Sequence, residues 1–119
     1  MSPAYLHLLP VFLGEAETCL TSLREALDQL EMDTGLVTAW QAAARAAHTL
    51  KGNAAMMELH DVSDAAFAAE LLAEAGAVAP AAGTVALLLA CHDTLRRFVA
   101  AVAEDVAQPG HPAEAALTN

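Results

Sequence analysis

Positive charge is scarce in this sequence. Its 119 residues include five lysines and arginines against fifteen aspartates and glutamates, which gives a formal net charge of -10. Binding to nucleic acid or to an anionic membrane usually requires a basic stripe, so we expect neither partner. Repulsion between such acidic surfaces also favours a monomer.

Cysteines and aromatic side chains are few as well. Cys19 and Cys91 form no C-x-x-C motif, so we expect free thiols in the core or at its boundary, in a reducing cytoplasm. Aromatic residues make up 4% of a chain that is 56% hydrophobic. Most of its apolar residues are alanine and leucine, which favours helices that pack closely through small side chains.

The sequence also lacks an export signal and a membrane span. No basic region precedes the apolar residues of the N-terminus, and carboxylates follow them too soon for a signal peptide. The most apolar later run, residues 75–92, is rich in alanine and is interrupted by Pro80 and Gly83. We therefore expect a soluble protein in the cytoplasm.

Apolar residues recur with helical spacing in four segments. The first helix is predicted over residues 10–31, with an earlier alternative start near Pro3, and the fourth over residues 84–105. The second is predicted from an N-cap at Asp33 or Thr34. The third is predicted from residue 61 or 63 to residue 75, with Gly76 as its C-terminal stop. The clearest apolar stripe is that of the second helix, made of Leu36, Trp40, Ala43, Ala47, Leu50, Ala54 and Met57.

Four amphipathic helices with short connections bury their apolar stripes most simply as an all-α, antiparallel up-and-down four-helix bundle. We therefore predict one bundle domain over residues 1–105. Residues 106–119 contain two prolines, a glycine and little to bury, so they are predicted to be a linker or disordered tail.

One helical stretch contains a glycine that helix stability does not explain. In RAAHTLKGNAAMM, residues 45–57, helix formers surround Gly52, although glycine inside a helix costs about 1 kcal/mol relative to alanine. His48 lies one turn earlier, away from the apolar stripe, and Lys51 lies on the same flank. The pattern indicates a reachable imidazole with a cation nearby and open space beside it.

These residue types suit transient phosphorylation of a nitrogen nucleophile. An imidazole has an unperturbed pKa of about 6.5, so most of it carries a free lone pair at neutral pH. A cation can hold the non-bridging oxygens of an incoming phosphoryl group, and a bare position at Gly52 lets a partner approach. From spacing alone, the alternative is that His48 is an ordinary surface histidine.

A family resemblance supports the phosphorylation hypothesis. Residues 46–55, AAHTLKGNAA, resemble the H-x-L-K-G signature of histidine-containing phosphotransfer domains. The stretches VFLGEAETCLTSLREAL and LLLACHDTLRRFVAAV look like the first and fourth helices of the variety found at the N-terminus of chemotaxis-type histidine kinases. The resemblance covers about residues 5–105.

The resemblance implies an antiparallel four-helix bundle whose histidine accepts a phosphoryl group and passes it on. His48 would be the phosphoryl acceptor and donor, Lys51 would contact the phosphoryl oxygens, and Gly52 would give clearance. In chemotaxis-type members a glutamate on the third helix accepts a hydrogen bond from the histidine ring, and Glu70 stands at the matching position. That bond would leave Nε2 as the nucleophile. The alternative for Glu70 is a solvated carboxylate.

The resemblance also implies two partners, the catalytic domain of a histidine kinase and the receiver domain of a response regulator. Mg²⁺ and ATP are expected on those partners, and no cofactor on this chain. The sequence contains no glycine-rich phosphate loop, so we expect no autonomous kinase activity. The remaining histidines lack metal-ligand spacing, so no metal site is expected at His7, His60, His92 or His111.

Two residues depart from the chemotaxis-type pattern. Phe67 stands where a second histidine often precedes the glutamate by one turn, and Glu58 stands where a glycine is favoured between the second and third helices. If that turn needs a positive φ, Glu58 brings local strain. The departures keep open a different class, an adaptor or inhibitor that docks on a kinase or regulator without carrying phosphate. A bundle with an internal cofactor would need inward-facing ligands, which the apolar stripes lack.

Overall fold

The computed structural model describes residues 3–113, and within them all four predicted helices are confirmed. A short 3₁₀ helix, Pro3–Leu8, leads into α1, which spans Leu9–Met32. The other helices are α2, Val37–Met56, α3, His60–Val78, and α4, Ala82–Val106. No β-strand occurs between residues 3 and 113.

The helices form the bundle that the sequence predicted. Each helix packs against the next one along the chain, and α4 also packs against α1. The connections at residues 33–36, 57–59 and 79–81 are short, so consecutive helices must run antiparallel. The all-α up-and-down four-helix bundle is therefore confirmed.

The core is built from the predicted stripes, with one exception at the start of α2. Leu36 is 38% exposed because it lies before the first residue of α2, in extended backbone that turns its side chain off the helical stripe. The predicted N-cap was also wrong, since Asp33 Oδ1 accepts a hydrogen bond from the Gly35 N–H and stabilises the preceding turn instead. The rest of the stripe is buried, namely Trp40, Ala43, Ala47, Leu50, Ala54 and Met57.

Gly76 does not end the third helix, and this prediction is corrected. Helix α3 continues to Val78, and Gly76 lies buried within it, beneath the indole of Trp40. A Cβ atom at Gly76 would lie 2.1 Å from Trp40 Cζ3, closer than any side-chain contact allows. The glycine therefore makes room for the largest core side chain, whose Nε1–H donates to the Thr34 carbonyl at 2.8 Å.

Glu58, in the turn between α2 and α3, has a positive φ of 60°. This is the position where related domains favour glycine. The Glu58 N–H donates to the Ala55 carbonyl and the Leu59 N–H to the Ala54 carbonyl, at 3.0 and 2.9 Å, which is the hydrogen-bond pattern of a Schellman motif. Glycine usually occupies the left-handed position of this motif, so Glu58 carries the local strain expected for a larger residue.

The cysteines and the C-terminal segment complete the described chain. Cys19 lies in the core and Cys91 at its boundary, both as free thiols, and burial raises the pKa of each. After α4, Ala113 is buried and its N–H donates to His111 Nδ1 at 2.9 Å. Residues 114–119 of the predicted tail lie outside the described residues. The linker or tail at 106–119 stays a prediction.

Candidate functional site

His48 lies on the flank of α2 with most of its ring in solvent. Its side chain is 66% exposed, whereas Ala47 and Leu50 on either side of it belong to the buried stripe. Gly52 follows one turn later, and a Cβ atom built there meets no heavy atom within 4 Å. Packing inside the protein therefore does not require glycine at position 52, and the space beside the ring is open.

Glu70 brings α3 to this flank and contacts two side chains of α2. Its Oε2 atom lies 2.7 Å from His48 Nδ1, and its Oε1 atom lies 2.6 Å from Lys51 Nζ. Only 10% of the Glu70 side chain is exposed, so it is not the solvated carboxylate that remained an alternative from the sequence. The antiparallel packing of α2 and α3 thus brings together all three polar residues singled out in the sequence.

These contacts determine the charge of Glu70 and the proton on the histidine ring. The hydrogen bond from Lys51 lowers the pKa of Glu70, and the bond from His48 adds to this effect, while burial opposes it. The carboxylate is therefore ionised at neutral pH and acts only as an acceptor. A proton on Nδ1 satisfies this acceptor, which assigns the lone pair of the neutral ring to Nε2. Within residues 3–113, Nε2 has no hydrogen-bond partner.

Phe67 also lies beside this cluster, a contact that the sequence did not predict. Phe67 lies on α3 one turn before Glu70, and the Lys51 ammonium lies over its ring, with Nζ 5.0 Å from the centroid. The Lys51 side chain is 28% exposed, enclosed between the ring and the carboxylate. The i and i+3 spacing of Phe67 and Glu70 was a usable signal, since such residues share one helical face.

Two further hydrogen bonds fix α2 relative to its neighbours near the site. Ser63 Oγ, at the start of α3, donates to the Lys51 carbonyl at 3.3 Å. Asn53 Nδ2, next to Gly52, donates to Glu15 Oε2 on α1 at 2.8 Å. The segment that contains Lys51 and Gly52 is therefore linked by hydrogen bonds to both neighbouring helices, α1 and α3.

Two further histidines, His92 and His111, have polar partners outside this cluster. His92 is half-buried, with Nε2 3.0 Å from the Leu20 carbonyl oxygen. His111 Nε2 lies 3.2 Å from Asp105 Oδ2, beyond the end of α4. Among residues 3–113, neither forms a hydrogen bond or ion pair with His48, Lys51 or Glu70.

Comparison with known families identifies the class of this domain. Residues 7–108 match the Hpt domain family. The match covers all four helices of the bundle, and the chain belongs to this family of histidine phosphotransfer domains of two-component signalling.

A comparison with curated proteins points to the chemotaxis-type relatives suggested by the sequence. The chain is 47% identical over 62 residues to the chemotaxis protein CheA of Halobacterium salinarum. The aligned region is 52% of this chain and 9% of that much longer protein. No solved structure matches the chain. None of the helices described between residues 3 and 113 has the length and apolar content needed to cross a membrane.

Proposed function

We propose that this domain carries a phosphoryl group on Nε2 of His48, accepts it from a kinase catalytic domain and passes it to an aspartate of a response-regulator receiver domain. The His48–Glu70 pair supports this assignment most directly. Nδ1 is engaged by the carboxylate at 2.7 Å while 66% of the side chain stays exposed. A nucleophilic nitrogen is thereby oriented towards solvent, where a partner can reach it.

The chemistry consists of two phosphoryl transfers. In the first, the lone pair of His48 Nε2 bonds to the γ-phosphorus of ATP, the bond to the β–γ bridging oxygen breaks, and ADP leaves. The ring becomes positively charged because Nδ1 keeps its proton. In the second, a carboxylate oxygen of the receiver bonds to phosphorus and the N–P bond breaks, which returns the electron pair to Nε2. ATP and Mg²⁺ belong to the partner proteins.

Glu70 has two tasks in this proposal. It holds the ring in the tautomer that exposes the Nε2 lone pair, and its negative charge stabilises the positive charge that develops as the N–P bond forms. The carboxylate is well suited to both tasks because it is ionised and little exposed, so water screens its charge weakly.

Lys51 and Gly52 act on the incoming group and its carrier. The Lys51 ammonium has three N–H donors, and its contact with Glu70 Oε1 uses one of them. The others can contact phosphoryl oxygens, over which charge spreads in the transition state. The open space at Gly52 admits the active site of the partner beside the ring.

The relative named chemotaxis protein CheA indicates the kind of partner to use in a test. We propose a chemotaxis-type kinase as the phosphoryl donor and place the reaction in the cytoplasm. The aligned region is only 9% of that protein, so the choice of kinase is part of the proposal.

The test is phosphorylation by a chemotaxis-type kinase catalytic domain with radiolabelled ATP. Wild type and the control variant His60→Gln should gain label that is lost in acid and kept in alkali, and His48→Gln should gain none. A receiver domain added afterwards should take the label from wild type. If all three proteins bind the kinase and none is labelled, the adaptor class is favoured instead.

A further inference from the structure

We infer that Phe67 is a positioning residue, whose ring face holds the Lys51 ammonium at the place where it meets a phosphoryl group on His48. The inference rests on the proposed phosphotransfer function. Lys51 Nζ lies 5.0 Å from the centroid of the Phe67 ring. A cation within about 6 Å of an aromatic centroid is attracted by the electron-rich face of the ring.

Lys51 requires such a contact because its side chain is long and flexible. An ammonium on a four-carbon stem can point its three donors in many directions, and a single ion pair restrains only one of them. The structure gives Lys51 two contacts from the same face of α3, Glu70 Oε1 at 2.6 Å and the Phe67 ring one turn earlier. Both contacts contribute to the low exposure of the Lys51 side chain, 28%, and both lie on the side of the ammonium that faces α3.

Packing in the core does not explain why residue 67 is a phenylalanine. The residue is 48% exposed and lies outside the buried stripe of α3, so burial in the bundle does not account for a phenyl group there. Its contact with Lys51 gives the ring a role inside the domain. The competing role is direct contact with a docking protein, which predicts that Phe67 matters only when the phosphoryl donor is a protein.

A small phosphoryl donor separates these two roles. Phosphoramidate can transfer its phosphoryl group to an imidazole with loss of ammonia, and it needs no docking surface. We expect Phe67→Leu, which keeps an apolar side chain, to phosphorylate His48 roughly two- to five-fold more slowly with phosphoramidate, the range that a cation–π contact provides. Phe67→Tyr keeps the ring face and should react at nearly the wild-type rate.

Two controls tie the effect to Lys51. In a Lys51→Met background, Phe67→Leu should cause no additional slowing, since the two substitutions remove one shared interaction. In the NMR spectrum, the ring should shift the Lys51 side-chain methylene protons upfield in wild type and Phe67→Tyr, and Phe67→Leu should abolish this shift. Far-UV circular dichroism verifies that each variant keeps the bundle.

The outcomes are distinct. The inference is supported if Phe67→Leu reacts more slowly with phosphoramidate and Phe67→Tyr reacts at nearly the wild-type rate. It also requires that Phe67→Leu cause no additional slowing in the Lys51→Met background. Slowing with a kinase but not with phosphoramidate makes Phe67 a docking residue and overturns it, as does an unchanged Lys51 shift in Phe67→Leu. If wild type gains no label at His48 from either donor, the proposed function fails, and the NMR shift still tests the contact.

Discussion

Glu70 Oε2 lies 2.7 Å from His48 Nδ1, and this contact joins α3 to the exposed flank of α2. It links a little-exposed carboxylate to a ring that is largely in solvent. The carboxylate also holds Lys51, so removing it alters the orientation of the ring and the position of the cation together. Substitution of Glu70 is therefore the most direct test of how the site works.

Glu70→Ala should slow phosphorylation of His48 and leave the bundle folded. Loss of a charge-assisted hydrogen bond, worth about 1.5–3 kcal/mol, corresponds to a rate roughly ten- to a hundred-fold lower if the bond is fully used in the transition state. Initial rates of labelling between about pH 6 and 8 measure the effect. Glu74→Ala, on an exposed position of the same helix, is the matched control. Unchanged rates for Glu70→Ala would show that the carboxylate does not orient the ring.

Glu70 should also make stability depend on pH in acid. The hydrogen bond from Lys51, with that from His48, holds the pKa of Glu70 below its ordinary value despite burial. The unfolded chain therefore binds this proton more tightly, so the stabilisation from Glu70 is complete above about pH 4.5 and is lost as the pH falls through the folded pKa. Urea unfolding of wild type and Glu70→Gln should show a free-energy difference that shrinks between about pH 5 and 3. A difference that stays constant over this range would contradict the assignment.

Gly52→Gln should interfere with partner approach and not with the ring itself. The structure leaves the space beside position 52 open, so the longer side chain fits without disturbing the fold. We expect transfer from a kinase to slow roughly ten-fold or more, since small misplacements of reacting groups have large effects on rate. The reaction of His48 with phosphoramidate should keep its wild-type rate. Equal kinase rates in wild type and Gly52→Gln would remove this explanation of the glycine.

Alanine should have opposite effects at the two helical glycines. Gly76→Ala places a methyl group against Trp40 and should lower the free energy of unfolding by about 1–3 kcal/mol, the usual cost of overpacking. Gly52→Ala meets open space and should raise it by up to about 1 kcal/mol, because alanine is the better helix former. Urea unfolding measures both. Equal effects of the two substitutions would mean that Trp40 relaxes away from position 76.

The buried stripes explain why the fold could be predicted from the sequence. Along α2 and at its C-cap, the predicted stripe residues after Leu36 are buried because helical periodicity is a local property, namely Trp40, Ala43, Ala47, Leu50, Ala54 and Met57. One error, at Gly76, arises where a tertiary contact overrides a local rule, and another, at Leu36, concerns where the helix begins. Glycine is typical of the position where a helix ends, but Gly76 lies inside α3 and packs against the ring face of Trp40 on α2. Leu36 fits the stripe by spacing and is exposed because the helix begins after it.

The sequence by itself determined the bundle, the exposed flank that carries His48, and the neighbouring Lys51 and Gly52, because all of these follow from spacing along one helix. Only the tertiary structure decided the state of Glu70 and the role of Phe67. Both lie on α3, and their distances to His48 and Lys51 depend on how closely two antiparallel helices pack and in which register. That register is determined by contacts between helices, such as the indole of Trp40 over Gly76, which no single helical pattern contains.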